Sequence, residues 1–203
     1  MASLGAVALG AGAPASAGVG GLPVQIGVDD QLFSPKSPKV GLPIEDVLWT
    51  WDADGSGAGT TDTAHNVVSF DRLFQSPLQS SGTYELTVSA GTFRYYCVLH
   101  RGMSGKLRVA PYAAVAAAHA SPGAKVIFAS REAETGDRYD VRAKAGKGKW
   151  RFLKEDTRRR SLKIKPKQLR AKSKRRRPVT VQVRSQKGKG EQKRSDWSPK
   201  LKL

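Results

Sequence analysis

The stretch Tyr95-Tyr96-Cys97-Val98-Leu99-His100-Arg101-Gly102-Met103 holds the most informative residues of the chain. Its first two residues end the aromatic segment 92–96, which is typical of a β-strand. Cys97 is the single cysteine of the 203 residues, so it cannot form an internal disulfide. A thiolate, an imidazole and a thioether therefore lie close together in one short loop. These donors predict a compact metal site with soft ligands.

Alternation along the strand fixes where the cysteine is expected. Successive side chains of a strand point to opposite faces, so Cys97 should share the inward face with Phe93 and Tyr95. His100 and Met103 would follow in the loop, where the backbone can fold around an ion. His65, in Ala-His-Asn-Val, can supply a second imidazole if its strand lies beside this one. Two His, one Cys and a weak axial Met form the ligand set of a blue copper centre.

Other interpretations of the same residues are open. A lone Cys on a strand is often a buried small hydrophobic residue, and a lone Met usually belongs to a core. Zinc also accepts Cys and His ligands, although a structural zinc site normally lacks Met. A cysteine protease is disfavoured, because the sequence shows no catalytic pairing for Cys97 outside the metal pattern. One copper ion is the cofactor that the four residues predict together.

Residues 22–110 resemble the cupredoxins, the family of plastocyanin and amicyanin. The resemblance depends on the Cys97-x2-His100-x2-Met103 spacing, which is similar to the short-loop, amicyanin-like version. The flanking residues 91–97 and 105–109 and the His65-Asn66-Val67 segment also fit the family pattern. The resemblance implies a Greek-key β-sandwich and a protein that transfers single electrons rather than an enzyme.

The resemblance also implies a role for each site residue. Cys97 would be the thiolate ligand, and His65 and His100 the equatorial imidazoles. Met103 would be the long axial ligand that tunes the reduction potential. Asn66 would hold the two ligand loops together from outside the ligand set.

A redox protein partner is implied beside His100. In the family the second histidine commonly reaches solvent and passes the electron, and apolar residues around it dock the partner. Val98 and Leu99 would supply that patch here, and Arg101 would favour an acidic partner. We expect the chain to act as a monomer.

The whole chain is predicted to be all-β, with a second, smaller immunoglobulin-like sandwich after the first. Short alternating segments between Gly, Pro, Ser and Asp turns predict strands throughout and, for the first module, an antiparallel sandwich. Residues 1–110 carry 7 of the chain's 35 Lys and Arg and 9 of its 17 Asp and Glu. Residues 111–203 carry the other 28 basic and 8 acidic residues. The net charges of −2 and +20 predict two modules with different surfaces. We place them at 22–110 and 123–203, with a linker at 111–122.

The second module resembles a fibronectin type III domain over part of its length. Residues 179–184 followed by 195–199 are similar to the last two strands of such a domain, where a Val-Arg strand precedes a Trp-Ser segment. Residues 139–142 would be a central strand, with Trp150 as its packing tryptophan. Domains of this kind serve as spacers or binding platforms, so no catalysis is implied.

Two basic runs in this module could bind phosphate or sulfate groups of a polyanion. They comprise Arg158, Arg159 and Arg160, and Lys174, Arg175, Arg176 and Arg177. A solvated basic surface and specific nucleic-acid recognition are the alternatives, although no aromatic stacking motif accompanies the runs. The alternative function is therefore an extracellular protein that delivers copper or adheres to polyanions.

Residues 1–21 predict a signal peptide or a disordered leader. Residues 1–17 are small and apolar and end in Ala15-Ser16-Ala17, which is typical of a secretory cleavage site, although a basic start is missing. No later segment approaches the roughly 20 apolar residues that span a bilayer. The expected location is secreted, periplasmic or at the cell surface, without a membrane span.

Overall fold

The computed structural model describes residues 22–29, 32–42, 46–51, 63–114, 124–165, 178–188 and 193–203. These residues form fifteen strands in four sheets and contain no helix, so the predicted all-β fold class is confirmed. Within them, no helix is long and apolar enough to cross a membrane. The predicted leader 1–21, linker residues 115–122 and the basic residues 174–177 lie outside the described residues.

Eight strands build the first sandwich, and they are β1 (Val24–Asp29), β2 (Leu32–Ser34), β3 (Lys39–Gly41), β4 (Asp46–Thr50), β5 (Val68–Ser69), β6 (Thr83–Thr87), β7 (Gly91–Tyr96) and β8 (Ser104–Ala110). One sheet has the order β2-β1-β4-β6 and the other has the order β3-β8-β7-β5. Buried and more exposed positions alternate along β4, β7 and β8, so the inner faces enclose a hydrophobic core.

Two strand pairs of this sandwich are parallel, whereas the sequence predicts an antiparallel sandwich. β1 pairs with β4 and β3 pairs with β8 in parallel, and the remaining pairs are antiparallel. Between β1 and β4 the chain forms β2 and then crosses to the opposite sheet as β3. Parallel neighbouring strands cannot be joined by a tight hairpin. The crossover through β3 allows β4 to run parallel to β1.

Strand β7 is the element that positions the predicted metal loop. Phe93 and Tyr95 are fully buried on its inner face, and Cys97, 2% exposed, follows directly after its last residue. The ring of Tyr95 lies edge-on to Phe33 and Trp49, with centroids 4.9 and 5.7 Å away. Edge-to-face contacts of this kind stabilise aromatic cores. The strand end that carries the cysteine is therefore fixed by the core.

Seven strands build the second sandwich, and they are β9 (Tyr112–Ala114), β10 (Ala124–Ile127), β11 (Arg138–Ala145), β12 (Arg151–Thr157), β13 (Ser161–Ile164), β14 (Val179–Gln186) and β15 (Leu201–Lys202). The sheets have the orders β13-β10-β9 and β12-β11-β14-β15. Phe128 and Tyr139 pack edge-on in the core. Trp150, expected in this core, instead lies half-buried over the guanidinium of Arg142.

The two sandwiches contact each other through buried hydroxyl groups at the beginning of β7. Ser89 Oγ lies 2.7 Å from Thr135 Oγ1 and 2.6 Å from Ser185 Oγ, and all three residues are fully buried. Ser185 Oγ also donates to the carbonyl of Ala90. Backbone hydrogen bonds between Thr92 and Asp196 continue the contact. The second sandwich therefore meets β7 at the end opposite to Cys97.

Candidate metal centre

Three predicted ligands lie together at the end of β7. One ligand atom each from His65, Cys97 and His100 lies within 4.8 Å of the other two. Cys97 Sγ is 3.4 Å from His100 Nδ1, and the two imidazole rings are tilted by 39° with centroids 4.4 Å apart. Residues 65 and 97 are therefore brought into one cluster by the pairing of β5 with β7.

The loop after Cys97 is closed by its own backbone. The N–H of Cys97 donates to the carbonyl of Met103 at 3.1 Å, and the N–H of Met103 donates to the carbonyl of His100 at 3.2 Å. Gly102 has a φ of +92°, a conformation that residues with a side chain rarely adopt. The loop thus returns His100 towards the sulfur of Cys97 within a few residues.

Met103 is buried beside this loop. Its side chain is 2% exposed and belongs to the hydrophobic core, and its backbone bonds both Cys97 and His100. The residue therefore lies on the protein side of the cluster rather than in solvent. Its role as an axial ligand stays a prediction from the sequence.

His65 is fixed on both its backbone and its ring. Its N–H donates to Gln79 at 2.8 Å, and its carbonyl accepts from the N–H of Gln79 at 3.0 Å. Thr63 Oγ1 lies 3.2 Å from the ring Nε2. A contact at one ring nitrogen restrains the orientation of an imidazole. Thr63 therefore helps to hold the ring of His65 in place within the cluster.

Asn66 joins the two segments that carry the cluster. Its Oδ1 accepts a hydrogen bond of 2.9 Å from the N–H of Val98, and the side chain is nearly buried. The bond connects residues next to His65 and next to Cys97. It therefore connects the segment of the first histidine to the cysteine loop.

The donor set fits copper better than a hard cation. Ligand atoms bound to one ion at about 2.0–2.3 Å lie roughly 3.3–4.0 Å apart, and the 3.4 Å between Cys97 Sγ and His100 Nδ1 is within this range. Among the described residues, the cluster includes no Asp or Glu. Sulfur and imidazole donors suit copper or zinc, whereas magnesium and calcium prefer oxygen donors.

The cluster reaches the surface through His100. His65 is fully buried, whereas His100 is half-buried, and the neighbouring Val98 and Leu99 are 52% and 56% exposed. Exposed apolar side chains beside a buried polar site are typical of a contact surface. His100 is thus the cluster ligand that another molecule can approach most closely.

The first run of predicted polyanion-binding residues belongs to the second sandwich, whereas the cluster belongs to the first. Arg158, Arg159 and Arg160 are exposed between β12 and β13, and the second run at 174–177 lies outside the described residues. One feature of the site and one feature of the fold were missed by sequence reasoning. Thr63, two residues before His65, carried a weak signal as a possible hydrogen-bond partner. The contact between the sandwiches left no local signal in the sequence.

Comparisons with known proteins find similarity only among solved structures. No protein-family model and no curated protein matches the chain. A copper-containing nitrite reductase from Thermus scotoductus SA-01 is 22% identical over 51% of this chain, with a TM-score of 0.37. The alignment covers 25% of the reductase, so this chain spans about a quarter of it.

Variants of amicyanin give two further matches. One, in the reduced Cu(I) form at pH 4, is 20% identical over 47% of this chain and 90% of its own, with a TM-score of 0.36. The other, in the reduced state, is 19% identical over 43% of this chain and 82% of its own, with a TM-score of 0.35. The function of this chain therefore has to follow from its own side chains.

Proposed function

We propose that the first sandwich binds one copper ion and carries single electrons between redox partners. The observation that carries the proposal is the cluster of His65, Cys97 and His100 on a rigid strand end. Met103 is proposed as the fourth, axial ligand. A bound copper ion supplies a one-electron couple between Cu(I) and Cu(II).

The residues around the cluster favour electron transfer because they restrict movement. His65 is held at its backbone by Gln79 and at its ring by Thr63, and Asn66 ties it to the cysteine loop. Ligands that keep their positions in both redox states lower the cost of reorganisation. The burial of Cys97 also shields its sulfur from solvent oxidants.

The proposed docking surface for the redox partner is the apolar patch of Val98 and Leu99 beside His100. Both side chains are more than half exposed, and they lie in the loop between Cys97 and His100. A partner seated there would come within a short distance of the cluster. We propose a carrier rather than an enzyme, located outside the cytoplasm, as the leader-like residues 1–17 suggest.

Copper loading of the intact chain tests the proposal. The loaded protein should show an intense visible sulfur-to-copper band and a narrow copper hyperfine splitting in paramagnetic resonance. Cys97→Ser should abolish both signals, because a hydroxyl cannot replace the thiolate. Val98→Ala, in the same loop but without a donor atom, should leave both unchanged. A Cys97→Ser protein with the wild-type spectrum would disprove the site.

Copper delivery is the second candidate function, because the half-buried His100 gives a competing ligand access to the cluster. Rapid transfer of copper to a chelator, together with poor reduction and reoxidation by a small mediator, would favour delivery. Slow transfer with reversible redox cycling would favour electron transfer.

A further inference from the structure

The outer face of the sheet β12-β11-β14-β15 carries alternating cations and aromatic rings. The guanidinium of Arg142 lies 4.6 Å from the ring centroid of Trp150 and 3.8 Å from that of Trp197. Lys144 Nζ lies 5.0 Å from the Trp150 centroid, and the Arg184 guanidinium lies 4.7 Å from the Trp197 centroid. We call these five residues the cation–ring ladder.

A further lysine extends the ladder across the sheet. Thr180 on β14 pairs with Lys144 on β11 and with Lys202 on β15. Directly paired residues of neighbouring strands point to the same face, so Lys202 shares the face of Lys144 and Arg142. Ladder and lysine together place four cationic side chains on one sheet surface.

The positive charge of this face is only partly neutralised. Arg184 Nη2 forms an ion pair of 2.8 Å with the buried carboxylate of Asp140. In the part of the chain that the structure describes, no carboxylate lies within 4 Å of Arg142, Lys144 or Lys202. Their charges are therefore available to an anion that comes from outside the chain.

The ladder holds like charges together in a fixed geometry. Arg142 also donates to Gln182 Oε1 at 2.8 Å, which fixes the guanidinium between the two rings. Burial, and then the charge of Arg184, lower the pKa of Arg142. Each ring supports a cation by cation–π attraction, yet the mutual repulsion of the cations remains. An anionic ligand would relieve this repulsion without any rearrangement of the face.

We propose that the ladder and Lys202 bind the sulfate or carboxylate groups of an extended anionic polysaccharide. Charge complementarity supports this occupant, because the surrounding residues 111–203 carry a net charge of +20, from 28 basic and 8 acidic residues. Guanidinium groups held in one orientation are suited to two-pronged hydrogen bonds with planar or tetrahedral oxyanions.

A polysaccharide is favoured over single-stranded nucleic acid by the state of the rings. Proteins that bind single strands stack successive bases on open aromatic faces. Here Trp150 and Trp197 are each covered by two cations. Phe152, 49% exposed and 5.9 Å from Trp197, offers one further ring, which is too few for a stacking platform.

The site uses other residues than the predicted basic run at 158–160, and it does not depend on the copper centre. Arg158 follows the last residue of β12, whereas Trp150 precedes its first residue. Eight residue steps separate the two positions, which corresponds to about 26 Å along an extended strand. Failure of this proposal would therefore leave the proposed copper function untouched.

Two matched pairs of substitutions in the full chain test the proposal. Lys144→Gln with Lys202→Gln removes two charges from the ladder face. Lys125→Gln with Lys163→Gln removes two charges from directly paired positions on the other sheet. The probe is a heparin oligosaccharide of defined length, and the readout is tryptophan fluorescence over a salt series. An oligothymidine of equal charge is titrated in parallel.

The ladder pair should weaken heparin binding about tenfold and lower the salt dependence by roughly two counterions, because two contacts are lost. The control pair should change the affinity less than twofold. Equal losses in both pairs, or no binding by the wild type, would overturn the proposal. Oligothymidine bound as tightly as heparin would also overturn it and indicate nucleic acid. Circular dichroism of each variant confirms folding, and Lys202→Gln alone provides a milder variant.

Discussion

The two ends of strand β7 have opposite surroundings. Beyond its last residue, Cys97 and His100 form a cluster that opens to solvent beside the exposed Val98. Before its first residue, Ser89 hydrogen-bonds the second sandwich in a fully buried contact with Ser185. One end of the strand thus carries the candidate metal cluster, and the other end contacts the second sandwich.

The candidate metal cluster and the contact between the sandwiches are therefore at separate ends of β7. The hydroxyls of Thr135, Ser89 and Ser185 can donate in sequence, ending on the carbonyl of Ala90, so each hydroxyl has both a donor and an acceptor role. A satisfied buried network favours one relative position of the two sandwiches. The strand of about 20 Å keeps that network away from the cluster. Changes at one end should therefore leave the other end unaltered.

The largest effect is expected at the buried end. The double variant Ser89→Ala and Ser185→Ala leaves Thr135 Oγ1 and the Ala90 carbonyl without these partners. Each lost buried hydrogen bond costs about 1–3 kcal/mol, so the free energy of unfolding should fall by roughly 2–4 kcal/mol. Urea denaturation of the metal-free protein measures the loss.

Ser81→Ala, at an exposed position, is the control and should change stability by less than about 0.5 kcal/mol. The visible spectrum of the copper-loaded double variant should match that of the wild type under conditions where both are folded. A shifted spectrum would show that the two ends of β7 are coupled, which would contradict their independence.

A smaller effect is expected at the metal end. Asn66→Ala removes the acceptor for the Val98 N–H and loosens the connection between His65 and the cysteine loop. Loss of an outer-shell partner typically lowers metal affinity 10- to 100-fold, and we expect about tenfold. Competition for copper with a coloured chelator measures it.

Ser81→Ala again serves as the control and should bind copper with wild-type affinity. The thermal stability of metal-free Asn66→Ala should fall only slightly, because a single loop hydrogen bond is lost. Wild-type copper affinity in Asn66→Ala would mean that the ligand loops are held together by other contacts.

The smallest effect concerns a titration that spans both sandwiches. Burial, and then the charge of Glu134 in the second sandwich, raise the pKa of Tyr84 to about 12. The raised pKa favours the neutral phenol in the folded state. Its stabilising contribution is therefore complete below pH 10 and is lost as the pH rises from about 10 towards 12. Glu134→Gln should lower the pKa of Tyr84 while burial keeps it above 10.

Phenolate absorbance during a pH titration measures this change. Glu85→Gln, which removes an exposed carboxylate next to Tyr84 in β6, is the control and should alter the titration less. An unchanged Tyr84 titration in Glu134→Gln would indicate that the second sandwich does not sit against this residue in solution.

Local patterns predicted most of the strands and the three residues that form the cluster, His65, Cys97 and His100. Alternation around Phe93 and Tyr95 placed Cys97 inward, and the structure shows both rings fully buried. Spacing alone could not predict that β1 and β4 run parallel, because strand pairing depends on a crossover through the opposite sheet. The contact of Ser89 with Ser185 joins residues 96 positions apart and has no local signature.

Trp150 is a residue that the resemblance to a fibronectin type III domain placed in the core and the structure does not. A large aromatic side chain is usually expected inside, but Phe128 and Tyr139 already fill the core of the second sandwich. On the outer face the indole gains the guanidinium of Arg142 as a partner. The cation–π contact therefore offsets part of the cost of leaving the ring half exposed.

The backbone bridge between Thr92 and Asp196 also covers an edge of the first sandwich. Within β7, β5 pairs with Tyr95 and Tyr96 alone. Without Asp196, the first half of β7 would therefore have an unpaired edge on this side. Such edges recruit strands from other molecules and seed aggregates. Asp196 occupies this edge with two main-chain hydrogen bonds. A chain cut after residue 110 would bare it and should precipitate or form larger oligomers more readily than the intact chain.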